Sequence, residues 1–265
     1  MMLLLALGCV APPPDPAAYE SGWTLVWSDS FDGPAGTPPD PTTWVPDVGG
    51  DGWGNEQLEY NTAKPQNASL DGEGRLAIVA FREPFIRNDY TSARLTTNGT
   101  RSFGAGRFEA DLKPPAGTGL WPAFWMLGTD YDDVGWPACG EIDIMELRGE
   151  APEISLASVH GPGYAGESAY EGSHALPDGS YADRFHTFAV DIDPDHITFW
   201  MDDERVHVVR PGDVDGEWVF DREWFLLLNL AVGGYFLEEP TDETPFPATF
   251  LIDEVRVFER TQPPG

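Results

Sequence analysis

Basic residues are scarce in this sequence. Its 265 residues hold 15 Lys and Arg against 45 Asp and Glu, a formal charge of −30 with neutral histidines, and only two of the cations are lysines, Lys64 and Lys113. A nucleic-acid binder needs clustered cations to displace counterions from phosphates, so that class is excluded. Cysteine is also nearly missing. Cys9 and Cys139 cannot build a disulfide framework, and if Cys9 is lipidated or removed Cys139 has no partner, so stability must come from packing. No apolar run approaches the roughly 20 residues of a membrane-spanning helix. No segment of about 12 residues or more shows helical periodicity.

Aromatic mass is plentiful: 10 Trp, 15 Phe and 8 Tyr in a chain that is 41% hydrophobic. Such a chain can bury a sizeable core, so the acidity is not that of a disordered tail. The 29 Gly and 25 Pro are spread without a repeat and separate short runs rich in Val, Ile, Phe, Trp and Thr. That pattern predicts strands at 75–81, 106–112, 123–127, 141–147, 155–160, 186–192, 197–201, 206–210, 225–230 and 250–258. Asp202-Asp203-Glu204 lies between two of them and predicts a hairpin turn. Many short antiparallel strands with no composition shift predict one all-β domain over 21–260, a two-sheet sandwich of the jelly-roll type.

Residues 1–20 read as a leader and Pro-rich linker. The apolar stretch Leu3 to Val10 ends at Gly8-Cys9, the small-residue-then-cysteine pattern at which bacterial lipoproteins are cut and lipidated. An extracytoplasmic protein, secreted or anchored through lipid at Cys9, is therefore expected. Asn67-Ala68-Ser69 and Asn98-Gly99-Thr100 match the N-glycosylation pattern, which matters only in a eukaryotic secretory host.

The most informative segment is Gly140-Glu141-Ile142-Asp143-Ile144-Met145-Glu146, with three carboxylates in six residues. Side chains alternate along a strand, so Glu141 and Asp143 share one face and Ile142 and Ile144 take the other. Glu146 breaks this parity, and a regular strand would bury its carboxylate in the core at great cost. A one-residue β-bulge at Ile144 or Met145 restores it to the face of the other two. Crowded carboxylates raise at least one pKa, which sets a proton donor beside an ionised neighbour. Retaining glycoside hydrolysis needs that pair, a nucleophile and a general acid/base with carboxyl groups roughly 5 Å apart. A hard-cation site or a solvated acidic strand is the plainer reading of the same residues. Upstream, Trp121 and Trp125 fall at even spacing, hence on one face, and an indole is a good platform for the apolar face of a pyranose. Buried core is the alternative use of such tryptophans.

The run Trp121-Pro122-Ala123-Phe124-Trp125-Met126-Leu127, followed by Gly135-Trp136-Pro137-Ala138-Cys139-Gly140 and the carboxylate segment, resembles the signature of glycoside hydrolase family 16, in particular its laminarinase-like endo-β-1,3-glucanases with a bulged active strand. Further blocks agree in order: Gly52-Trp53-Gly54-Asn55, Thr91 to Leu95, Gly106 to Glu109, His160 to Tyr164, Phe185-His186-Thr187 and Asn229 to Gly234. The resemblance covers about 27–258. It implies a curved jelly roll with an open concave cleft, retention of anomeric configuration, Glu141 as nucleophile, Glu146 as general acid/base and Asp143 as the residue that tunes both. It further implies that Asn55 and Arg94 bind sugar on the glycone side, that Trp121 and Trp125 are stacking platforms there, and that His160 stands on the aglycone side. No cofactor is implied for catalysis. A structural calcium away from the cleft is, with Asp253 as its matching side chain.

The sequence departs from the family pattern where Leu147-Arg148 replaces an aromatic after Glu146, and where 167–183 reads as a Gly- and Ser-rich loop. The expectation is an endo-β-1,3-glucanase of laminarin-type glucans that needs no partner subunit, hence a monomer. A non-catalytic β-glucan recognition module on the same fold, and relatives cutting mixed-linkage glucans or galactans, are the competing readings. Retained, mutually repelling carboxylates count against the first. The charge of −30 counts against sulfated substrates.

Overall fold

Residues 22–261 are described by this computed structural model, and their regular secondary structure is almost wholly strand. In chain order these begin with β1 (Trp23–Asp29), β2 (Val45–Pro46), β3 (Glu59–Asn61), β4 (Ala68–Leu70), β5 (Leu76–Phe85), β6 (Asn88–Ser92), β7 (Arg94–Thr96), β8 (Arg107–Lys113) and β9 (Leu120–Gly128). After a one-turn helix, α1 (Tyr131–Val134), come β10 (Glu141–Leu147), β11 (Ile154–His160), β12 (Tyr170–Ala175), β13 (His186–Asp193), β14 (His196–Met201), β15 (Glu204–Val209), β16 (Trp224–Val232) and β17 (Ala248–Arg260). The leader and Cys9 lie outside the described residues.

Two sheets result. One has the order β15-β14-β13-β8-β17-β5-β6-β3, with β1 beside β17 and β4 beside β5; the other runs β12-β11-β10-β9-β16-β7-β2. Their inner faces meet in one core, which takes Phe108, Phe188 and Phe250 from the first sheet and Phe124, Ile142 and Leu228 from the second. Each such side chain contributes about 1.5–3 kcal/mol relative to exposure. β16 is central and covered on both faces, so all nine of its residues are buried. Pro122 sits inside β9 without breaking the sheet, because the ladder to β10 runs from Glu141↔Leu127 to Glu146↔Ala123 and Pro122 lies beyond its last pair.

All ten strands expected from the sequence are present, with shifted ends. β10 spans 141–147 as expected, whereas β9 starts three residues before its predicted 123 and takes in Trp121. The hairpin turn is two residues long, Asp202 and Asp203 with φ of 48° and 66°, and Glu204 already belongs to β15. The stretch 167–183 is not all loop: β12 adds an edge strand to β11 along Ile154↔Ala175 to Val159↔Tyr170. Asn67 cannot accept a glycan in the folded protein. Its side chain is fully buried, accepts a hydrogen bond from Thr62 at 2.5 Å and donates to the Val79 carbonyl at 3.0 Å.

Candidate active site

The bulge in β10 is where parity requires it. Asp143 pairs with Trp125 and Met145 with Phe124, so Ile144 is the extra residue against β9; against β11, Asp143 pairs with Ser158 and Glu146 with Leu156. Ile142, Ile144, Met145 and Leu147 all enter the core, and Glu141, Asp143 and Glu146 are left together on the outer face of the seven-stranded sheet. The two adjacent inward residues, Ile144 and Met145, are the mark of the bulge.

β11 and β9 supply the partners of the row. His160 stands directly across from Glu141 and places Nε2 3.0 Å from Asp143 Oδ2, while Ser158 Oγ donates to the same oxygen at 2.6 Å. Trp136, from the loop after α1, donates its indole N–H to Glu141, and Trp121 donates to Glu146 Oε1 at 2.9 Å. The nearest donor atoms of Glu141, Asp143 and His160 lie within 4.8 Å of one another. Such a trio could face a cation, yet here each of its members is engaged in a hydrogen bond within the site, from Trp136, from Ser158 and to Asp143.

Burial, and next the charge of Asp143, push Glu141 up to about 8 and Glu146 well above the usual range; His160 and the two indole N–H groups pull the other way. Glu146 is 8% exposed and deeper than the half-buried Glu141, so water supports the charge of Glu141 better and the proton belongs with Glu146. His160 is pulled down by burial, but its hydrogen bond to Asp143 and the three surrounding carboxylates outweigh this and raise it to about 9. The Gly166 N–H, 3.1 Å from Nδ1, opposes that charge because it requires a lone pair on the nitrogen. The geometry is therefore that of the neutral ring with its proton on Nε2, and charging His160 means breaking the contact with the loop at Gly166.

On the β7 side, Arg94 is held between two indoles, 4.7 Å from the Trp125 ring centroid and 4.8 Å from that of Trp53, with Asp47 at 3.0 Å from Nε. Trp125 is half-buried and donates to Asn229 Oδ1 at 2.7 Å. Asn55 is exposed on the loop that carries Trp53, and its carbonyl accepts the Tyr235 N–H at 2.9 Å. Trp125, which pairs with Asp143, thus joins Arg94 on one side of the row, and Asn55 lies on the loop that brings Trp53 to Arg94. Trp121 departs from the expectation of an open platform: it is 8% exposed, stacks on Phe236 at 4.6 Å and 29°, and is spent on Glu146.

Four partners of the site were not singled out from sequence: Trp136, Ser158, Asn229 and Phe236. The first three were within reach, since Ser158 and His160 share parity on β11 and the other two lie inside blocks already noted. Phe236 follows two glycines on a loop, and nothing local marks it. Asp253 lies far from the row, on the other sheet, exposed at the bulge between Ile252 and Glu254 of β17. Its carboxyl is pushed up by partial burial and by Asp111, with Arg75 and Arg256 acting in the opposite sense. Cys139 is buried against Leu127, Phe225 and Leu227; burial and the charge of Glu141 hold its thiol up at about 11, so it is no nucleophile.

A jelly-roll sandwich with coupled carboxylates on a bulged strand, and indoles beside them, is the build of a carbohydrate-cleaving hydrolase. Comparison with known sequences makes this specific: the chain belongs to glycosyl hydrolases family 16, whose model matches residues 53–225. A β-glucanase of Rhodothermus marinus is 38% identical over 97% of this chain and 92% of its own length. The laminarinase catalytic domain of Thermotoga maritima superposes with a TM-score of 0.86 at 39% identity, covering 91% of this chain and 99% of that one. The endo-β-1,3-glucanase of Pyrococcus furiosus gives 0.85 at 40% identity, covering 91% and 95%.

Proposed function

We propose that the protein is a retaining endo-β-1,3-glucanase acting on laminarin-type glucans, with Glu141 as nucleophile and Glu146 as general acid/base. The observation that carries this reading is the bulge, which sets two glutamates of unequal burial on one face with Asp143 between them. In the first half-reaction a Glu141 oxygen bonds to the anomeric carbon as the glycosidic C–O bond breaks, and the Glu146 proton passes to the departing oxygen. In the second, Glu146 takes a proton from water, whose oxygen displaces Glu141 from that carbon and restores the β configuration. Asp143, tied by Ser158 and His160, keeps a negative charge between the two and favours their protonated forms. The β-1,3 preference is supported by the relatives named above, and Arg94, Trp125 and Asn55 are the groups that would hold the glycone.

Two measurements test this. Products of an NMR-followed laminarin digest should first appear as the β-anomer; an initial α-anomer removes the retaining mechanism. Glu146→Gln should lose laminarin turnover yet keep glycosylation by an aryl glycoside with a good leaving group, since acid assistance is then dispensable. A product profile on laminarin, mixed-linkage glucan and galactans separates the linkage readings.

Two further readings belong to this proposal. A calcium ion would meet the excess of carboxylates around Asp253 and Asp111. Chelation should then lower Tm for the wild type and not for Asp253→Ala. The segment at Gly8-Cys9 supports an extracytoplasmic, lipid-anchored protein. Replacing Cys9 by Ser should move it from the membrane fraction to the soluble one.

A further inference from the structure

We propose that Arg148, Phe236 and Trp121 form one stacked column that positions Glu146 and selects which of its two oxygens carries the proton. The column joins three elements that are separate in sequence. Trp121 comes from β9, Phe236 from the loop after β16, and Arg148 follows the last residue of β10. The Phe236 ring stacks on the Trp121 indole at 4.6 Å and 29°, and the guanidinium of the exposed Arg148 lies over the Phe236 ring, 4.3 Å from its centroid. The Leu147-Arg148 departure noted in the sequence thereby acquires a use: a cation over a ring closes the stack.

The loop that presents Phe236 is itself held. Gly233 and Gly234 adopt φ of 65° and 105°, Gly233 donates to the Gly119 carbonyl at 2.9 Å, and a Cβ on Gly234 would stand 2.7 Å from the Asn55 carbonyl. With its face covered, the indole cannot swing, and its N–H stays on Glu146 Oε1 at 2.9 Å. An oxygen that accepts an N–H keeps its lone pair free of the acidic proton, so the proton of the neutral acid resides on Oε2, the oxygen left to face the glycosidic bond. Trp121 is in this scheme a positioning residue, and Arg148 and Phe236 act through it.

The inference rests on Glu146 being the acid, and the test separates the two. kcat/KM is measured against pH on laminarin and on an aryl β-glucoside oligomer with an activated leaving group, for Trp121→Phe, Phe236→Ala, Phe236→Trp and Arg148→Gln, with Glu146→Gln as reference. Loss of the N–H donor favours the protonated acid, so the basic limb should move up by about one pH unit in Trp121→Phe. Phe236→Ala should shift it in the same direction, Phe236→Trp should restore it, and the exposed Arg148→Gln, which poses no folding problem, should give a smaller shift. Laminarin should suffer about tenfold more than the activated substrate in Trp121→Phe. An unmoved limb in Phe236→Ala and Arg148→Gln, or equal losses on both substrates, overturns the column while a discriminating Glu146→Gln leaves the acid assignment standing. Equal losses in Glu146→Gln overturn that assignment and the column with it.

Discussion

Replacing Asp143 by Asn removes the charge at the middle of the row while keeping its size. Glu141 and Asp143 lie within 4.8 Å of each other, and two unit charges at that separation interact by roughly 3.5 kcal/mol at an effective dielectric of about 20, equivalent to some 2.5 pKa units. His160 also faces Asp143, and any charge it takes up at the cost of its Gly166 contact loses support in the variant, which gives back part of that gain. A fall of about 1–2 units for both glutamates is the expected net result. The sign follows directly. Asp143 raises both pKa values, so without it Glu141 ionises and Glu146 loses its proton at lower pH. The bell-shaped profile of kcat/KM should move bodily toward acid by that amount, with a reduced maximum because Ser158 and His160 lose an ionised acceptor. The assay is laminarin hydrolysis across the neutral range, with Tm recorded for each variant to show that the fold persists. A profile that loses height without moving, or that moves toward alkali, refutes the claim that Asp143 acts on its neighbours by charge.

Glu59 offers a test of stability. It is fully buried, accepts the Val232 N–H at 2.8 Å and an Asn61 N–H at 3.2 Å, and burial raises it to about 7. The folded protein then holds a proton that the unfolded chain releases near pH 4.5, so stability falls between about pH 4.5 and 7; Glu59→Gln should recover up to about 3 kcal/mol at pH 8 and nothing at pH 4. Asn61 Oδ1, which has no partner, can accept the new amide; an unchanged Tm at pH 8 counts against the buried-charge argument. Phe124→Ala, at the centre of the core, should cost about 3–5 kcal/mol, read from denaturant unfolding. Cys139, mapped by mass spectrometry, should resist alkylation at pH 8 until the protein is unfolded, and rapid labelling of the native state contradicts its placement.

Much of this molecule is legible in its sequence because the long strands obey simple parity. β10 announces its bulge by an impossibility, a glutamate that alternation would bury, and the core strands β8, β13 and β16 show their apolar runs plainly. Of the strands that sequence left out, β2, β3, β4 and β7 are two or three residues long and owe their form to neighbours, while β1, β6 and β12, of five to seven residues, bury no apolar side chain of their own. Trp121 shows the same limit at the site. Spacing places it on the cleft face, but what covers it is Phe236, more than a hundred residues away, and no local rule predicts that a platform has been converted into a hydrogen-bond donor.

The bulge has a consequence for how such a strand can change length. Removing Met145 would leave Glu141, Asp143 and the final glutamate at positions one, three and five, all on the cleft face of an unbulged strand. Inserting a second residue beside Ile144 would put that glutamate at position seven, again on the cleft face of an unbulged strand but roughly 6.8 Å farther along it than position five. Deletion of a single codon therefore keeps the acid on the cleft face beside Asp143, whereas lengthening keeps the face and loses the spacing. Diversity of this architecture is expected to run from the longer frame to the shorter within β10, and to find its freedom for insertion in the connections between strands.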